Sequence, residues 1–431
     1  EAAAAAKEIM DSKVYKLYKS DKFQFSVIYG RRRVGKTSLI SEFVRGKDAI
    51  LFSGIESTAT ENLENLSKSI HRFLNGTGVA PIYPSFETAF SAIFEISKSK
   101  RVIFVIDEYP YVAKSKSSVS SVLQNLIDSN KDDSKLFLIL CGSSMSFMEE
   151  QVLGYKSPLY GRRTAQFKIS PFSFFEAAEY FVNFTKEEIA EIYGVAGGTP
   201  QYLIQMDDRL SVKENIMENI LNVNSYLFEE PSNLLKQEVQ KSALYNGIIA
   251  AIAKGSTKIS EIATKTNEET SSVSTCIRKL LSLELIKKET PFGEDSGKKT
   301  IYSVNDNLFR FWYKFVPENL SLIQNGMLDT AYDYISKEFN SYMGAVFEDI
   351  CKQYLWELNK RGETPFIFSS IGRWWGNNPQ EKRQEEIDIM GEKDKSTALF
   401  AECKWTTQKV DTGVLESLIL KSKMFHYENV H

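Results

Sequence analysis

The sequence is poor in the residues that build metal cages and disulfide frameworks. In 431 residues it has four cysteines (Cys141, Cys276, Cys351, Cys403), none paired at short spacing, and three histidines (His71, His426, His431). This argues against a zinc site of Cys and His and against a disulfide scaffold. The thiol usage suits a reducing cytoplasm. Excess charge is also lacking: 53 Lys and Arg face 56 Asp and Glu, a formal net charge of −3. Any nucleic-acid contact must therefore come from a local basic face. No stretch approaches the ~20 apolar residues of a membrane span. The apolar runs VIFVI and LFLIL have strand length. The opening EAAAAAKEIM lacks the basic and apolar regions of a secretory signal, and its alanines favour helix.

What is present is globular. Hydrophobic residues make up 42% and charged residues 25%, with 28 Phe and 20 Tyr to fill cores. The length implies two to four domains of about 100–200 residues each. Short β-rich runs at 25–29, 49–53, 102–106, 136–141 and 164–169 alternate with segments of helical spacing. Continuous apolar strands alternating with helices predict an α/β fold with a parallel sheet covered on both faces. The core is expected over 1–169 and a small helical lid over 170–238. Residues 239–318 read as three helices and a Gly-turned hairpin, the outline of a winged helix-turn-helix. Over 241–315 there are 12 Lys and Arg against 8 Asp and Glu. The last unit is expected over 319–431.

GRRRVGKT at 30–37 satisfies G-x-x-x-x-G-K-[ST] and follows a strand run into a helix run. Gly30 and Gly35 let backbone wrap a phosphate, and the helix N-terminus adds positive potential. Lys36 reaches the β- and γ-phosphates of ATP, and Thr37 ligates Mg²⁺. Gly30, Arg33, Val34, Gly35, Lys36, Thr37 and Ser38 form the expected nucleotide-binding stretch. Arg31, Arg32 and Arg33 are either solvated, or one braces the γ-phosphate or a neighbouring domain. VIFVIDEYP at 102–110 ends a strand on Asp107, a second Mg²⁺ ligand, and Glu108, which polarises the attacking water. Ser143 in LFLILCGSS is either a γ-phosphate sensor or part of a serine turn. Arg162 in SPLYGRR is either an arginine finger or sensor, or a surface residue that binds nothing.

Taken in order, GRRRVGKT, VIDEYP, CGSS, SPLYGRR and GGTPQYL resemble the archaeal-type ATPases of the AAA+/STAND group, over 21–235. The resemblance implies an ATP/ADP-controlled switch. The family's usual Gly-Arg near the N-terminus, on the adenine side, has no counterpart in EAAAAAKEIMDSKVY.

In EEIDIM (385–390) and ALFAECKW (398–405), strand alternation separates Ile387 and Ile389 from Asp388, and Ala401 and Cys403 from Glu402 and Lys404. Two adjacent strands would aim Asp388, Glu402 and Lys404 at one place. Two carboxylates holding Mg²⁺ beside a lysine suit phosphodiester hydrolysis. The spacing D-x13-E-x-K matches the loose PD-(D/E)xK signature, which an ordinary exposed strand also satisfies. The helix 341–358 offers Glu348 as a further metal ligand. GAVFED, GRWWG, EEIDIM and AECKW resemble the DUF234-like domain attached to such ATPases, which implies a restriction-endonuclease-like α/β fold and DNA as partner. In similar chains a further strand follows the last helix, whereas this sequence ends at FHYENVH. The tryptophans of GRWWG either stack on nucleic acid or pack on the sheet. Ser271 to Thr275, Arg278, Lys279, Lys298 and Lys299 would serve DNA contact by the winged helix. Alternatively, that module makes intramolecular or protein contacts. A homo-oligomer or a regulatory protein partner is compatible with the sequence, and a membrane partner is not expected.

Overall fold

The computed structural model describes residues 13–76, 78–295, 297–379 and 381–431, so the alanine segment lies outside the described residues. The chain forms two compact units. One comprises residues up to Pro171 together with Thr199–Gln201, the other Phe172–Gly198 and Tyr202–His431.

The first unit is built on a parallel sheet. Among the described residues its strands are β1 (Gln24–Tyr29), β2 (Ala49–Ser53), β3 (Val102–Asp107), β4 (Leu136–Gly142) and β5 (Ala165–Lys168), in the order β2-β3-β4-β1-β5. Each coincides closely with its expected run. Period-two alternation explains why those runs are apolar throughout. Val102, Phe104 and Ile106 enter one core, and Ile103 and Val105 the other. Leu136, Leu138 and Leu140 divide from Phe137, Ile139 and Cys141 in the same way. The first core is closed by the helices Ala59–Asn75, Phe86–Ser99 and Val119–Asn130, the second by the helix Lys36–Val44. The order puts β1 between β4 and β5, with β3 next to β4. The carboxyl ends of β1, β3 and β4 therefore adjoin where connections diverge to opposite sides, the position at which open α/β sheets bind ligands.

In the second unit the helix Lys186–Ala196, part of the expected lid, shares a core with the helices Asn307–Phe315 and Leu328–Lys360. Gly194 makes a close crossing. A Cβ there would meet Met343 Sδ at 2.6 Å, and Tyr342 Oη donates to Gly194 O at 2.5 Å. The helices Ser242–Ala253, Ile259–Thr266 and Thr270–Ser282 surround a separate core with the hairpin β6 (Ile286–Glu289) and β7 (Ile301–Val304). Apolar spacing alone would carry the third helix on through ELIKKE. It ends earlier because Glu284 takes a left-handed φ of 57° and Leu285 N bonds back to Leu280 O at 3.1 Å. ELIKKE thus becomes turn and strand.

The last sheet runs β11-β10-β9-β8, with β8 (Ile371–Asn378), β9 (Arg383–Asp394) and β10 (Thr397–Ala401) antiparallel in turn. After the helix Thr412–Ser422, β11 (Asn429–Val430) pairs parallel with β10. A strand does follow the last helix. Trp374 packs edge-on against Phe425, with ring centroids 4.9 Å apart. Phe292, from the loop of the β6–β7 hairpin, joins this sheet's core, and its N–H donates to Arg373 O at 2.8 Å. Beneath it, Asp349 of the long helix accepts from Lys287 at 2.8 Å and from Arg310 at 3.2 Å. Burial works against ionising Asp349, yet Lys287 and Arg310 hold its carboxyl well below the usual range. The hairpin is thereby fixed to the C-terminal sheet by an apolar wedge and to the long helix by a charge cluster.

Candidate functional site

The phosphate loop leaves β1 at a glycine that nothing else can replace. A Cβ on Gly30 would lie 2.2 Å from Ile169 O. Arg33 and Gly35 both adopt left-handed backbone, at φ 73° and 87°. Gly35 caps the helix Lys36–Val44 without any side-chain hydrogen bond, so the first-turn N–H groups are left for an anion. Lys36 is buried, and its Nζ donates to Gly30 O and Arg31 O at 2.8 and 2.9 Å. Burial pushes its ammonium below the usual lysine range. Val34 is buried, whereas Thr37 and Ser38 face outward.

The carboxylates meet this loop in accordance with their spacing. Thr37 Oγ1 donates to Asp107 Oδ2 at 2.8 Å, which is how a hydroxyl and a carboxylate sit when they can share a divalent cation. The residues thus fit Mg²⁺. Glu108 takes a left-handed φ of 49° at the end of β3, a strained conformation of the sort that accompanies function. Ser143, at the end of β4, donates to both Glu108 oxygens, at 2.7 and 3.0 Å. The side chains of Arg31 and Arg32 are tethered. Arg31 is only 5% exposed and donates to Thr199 Oγ1 at 2.6 Å. Arg32 donates to Tyr111 Oη at 2.9 Å, and Arg33 O accepts from Gln201 N at 3.4 Å. Thr199 is not marked by its own chemistry; its only signal in the sequence is the GGTPQYL motif. Arg162 grips Asp128 with two nitrogens, at 2.9 and 2.6 Å, and the carbonyls of Pro158 and Tyr160 with a third.

In the second unit, Asp388, Glu402 and Lys404 come together. Asp388 is 7% exposed, and so is the Glu402 side chain. β10 ends at Ala401, earlier than the alternation suggests. Cys403 N turns aside to donate to Asp388 Oδ2 at 2.8 Å instead of extending the ladder. The two carboxyls lie close enough to share their titration. Burial, with Glu402 and Glu348 nearby, raises Asp388 to about 7. Glu402, although also buried, is held low by Lys421, Asp388 and Lys404. The opposite directions describe a coupled pair in which Asp388 holds its proton more tightly than Glu402 does.

Lys404 Nζ lies 3.3 Å from Glu402 Oε2. Lys421, from the helix Thr412–Ser422, lies 2.5 Å from Oε1 and donates to Glu386 O at 2.7 Å. Sequence reasoning misses Lys421, because nothing in the spacing LILKSK singles it out. Glu348 is drawn into an ion pair with Arg373. Among the described residues no group of three or more His, Cys, Asp or Glu side chains is arranged to hold a metal ion. Asp388 and Glu402 supply two adjoining carboxylates, while Glu348 stays with its arginine.

Among the described residues no helix is long and apolar enough to cross a membrane. Residues 7–206 match the family described as an ATPase domain predominantly from Archaea, and residues 312–414 match DUF234, archaeal and bacterial proteins of unknown function. An uncharacterized protein of Methanocaldococcus jannaschii is 36% identical over 392 residues, 90% of this chain and 84% of that protein. A Walker-type ATPase of Pyrococcus abyssi shares the fold at a TM-score of 0.54 and 19% identity, covering 72% of this chain and 95% of that one. The strand–loop–helix, the Thr37–Asp107 pair and the matched regions agree: the chain belongs to the archaeal-type P-loop ATPases that carry a C-terminal DUF234 domain.

Proposed function

We propose that this ATPase is a nucleotide-controlled switch coupled to a DNA-directed, metal-dependent nuclease-like C-terminal part. At the first site Gly30, Arg33, Val34, Gly35, Lys36, Thr37 and Ser38 cradle the phosphates of ATP or ADP. Lys36 moves from the loop carbonyls onto the β- and γ-phosphates. Thr37 and Asp107 hold Mg²⁺, which supplies charge neutralisation when bound. Glu108 orients and deprotonates the attacking water, and Ser143 determines when Glu108 is free to do so. Arg162 serves as a sensor only if Asp128 releases it. The few cysteines, none closely spaced in sequence, fit a reducing cytoplasmic setting.

The observation that carries the nuclease reading is the convergence of Asp388 from β9 with Glu402 and Lys404 from the segment after β10 in one cluster. Asp388 and Glu402 would take the cation, with Lys404 orienting water. The test is cleavage of plasmid DNA with Mg²⁺ or Mn²⁺, with and without ATP, in wild type, Asp388→Ala and Lys404→Ala. Metal-dependent nicking that disappears in both variants supports the reading; no cleavage by wild type in any nucleotide state refutes it.

A second reading rests on a specific observation. Lys404 and Lys421 both sit on Glu402, and Arg373 sits on Glu348, so protein cations already occupy the acids. On that reading the domain binds DNA or a regulatory protein without cutting. The docked hairpin leaves the helix Thr270–Ser282, with Ser271, Thr275 and Arg278 on its outer face, as the surface for DNA.

A further inference from the structure

Two of the four cysteines, far apart in sequence, meet beside the C-terminal cluster. Cys351 lies on the helix Leu328–Lys360 and Cys403 between Glu402 and Lys404, and their thiols lie close enough to interact directly. Both are partly exposed, whereas Cys141 and Cys276 are buried. The apposition is held by neighbours. Phe347, one helical turn before Cys351, packs on Trp405, two residues after Cys403, with ring centroids 5.4 Å apart. On the other side Cys403 N is anchored to Asp388 Oδ2 at 2.8 Å. A ring contact and a backbone hydrogen bond thus fix helix against segment on either side of Cys403.

We propose that Cys351 and Cys403 are an oxidisable dithiol, a modification site whose oxidant is a hydroperoxide and whose product is an intramolecular disulfide. The sulfur of Cys351 attacks the peroxide, forming an S–O bond as the O–O bond breaks; one water (or alcohol) leaves and a sulfenic acid remains. The Cys403 sulfur then attacks that sulfur, an S–S bond replaces the S–O bond, and a second water departs with the remaining thiol proton. The two sulfurs lose two electrons and the peroxide oxygens gain them. A thiol reductant reverses the sequence. The bridge covalently joins the segment bearing Glu402 and Lys404 to the long helix. This inference stands on the thiol geometry and is independent of whether the cluster cleaves DNA.

The test treats the full chain with hydrogen peroxide, alkylates remaining thiols and maps peptides without reduction. The expected product is a peptide pair joined through Cys351 and Cys403, lighter by two hydrogens. Both thiols should become unreactive to the alkylating agent together and recover with dithiothreitol. Amide exchange at residues 402–405 should slow in the oxidised chain. Cys351→Ser and Cys403→Ser should each abolish the joined pair. The proposal is overturned if oxidised wild type keeps either thiol alkylatable, carries separate sulfinic acids, or forms its bridge through Cys141, Cys276 or a second chain. Because the wild-type map decides this, it stands even if a serine variant folds poorly.

Discussion

Lys36 keeps its ammonium on two loop carbonyls at 2.8 and 2.9 Å, so its positive charge is held within the loop proposed to cradle phosphate. Each charge-assisted hydrogen bond of this kind is worth about 1.5–3 kcal/mol. Lys36→Ala should therefore weaken ATP binding roughly tenfold to a hundredfold for every such bond to phosphate that it removes; calorimetric titration checks this, and unchanged affinity would remove the phosphate-loop assignment. Asp388 gives a pH prediction. Its folded-state carboxyl titrates at about 7, while in the unfolded chain it loses its proton near the ordinary ~4. The folded state holds a proton that the unfolded state releases, so the stabilisation is complete below about pH 4 and is lost as pH rises to about 7. Glu402, held low, works in the opposite sense at acid pH and leaves the range from about 5 to 7 to Asp388. Melting of the second unit should drop by several degrees across that range. Asp388→Asn should flatten the drop, as seen by calorimetry at several pH values.

The helix Leu328–Lys360 is the element on which the second unit depends. Its residues Ile335, Phe339, Met343 and Val346 fill one core, and Asp349 faces Lys287 and Arg310. Asp349→Ala would leave two cations without their carboxylate. Breaking a fully buried pair costs about 3–5 kcal/mol. Because this side chain is 26% exposed, a loss of about 2–3 kcal/mol is expected instead, read by urea unfolding. Elements of this kind mark the limit of what the sequence can express. β1 to β5 are legible because burial on both faces demands uninterrupted apolar runs, and the apolar stripe Met343, Val346, Ile350 because 3.6-residue periodicity demands it. Lys36, Thr37, Asp107, Asp388 and Glu402 are legible because chemistry fixes their neighbours. Lys421, Arg373 and Thr199 are not. Each is brought in by tertiary packing from an element whose own pattern carries no trace of its partner. The end of β10 at Ala401 is hidden for the same reason, since the acceptor of Cys403 N lies on another strand.

At the scale of the whole molecule, two compact units with separate cores should unfold in two calorimetric transitions. A ligand stabilises only the state that binds it, by about 2.7 kcal/mol at a hundred times its Kd. Mg-ATP should therefore raise one transition and leave the other in place, and Lys36→Ala should abolish the rise. A single transition shifted as a whole would show the units to be thermodynamically fused. The first unit is also discontinuous, because Thr199–Gln201 belongs to it while the residues on either side belong to the second. Arg31 and its partner Thr199 are 168 residues apart. On a ribosome adding roughly 5–20 residues each second, the phosphate loop would wait about ten to thirty seconds for that hydroxyl. During synthesis the sheet can form well before the loop acquires its final brace, which arrives only after the chain has begun its second unit.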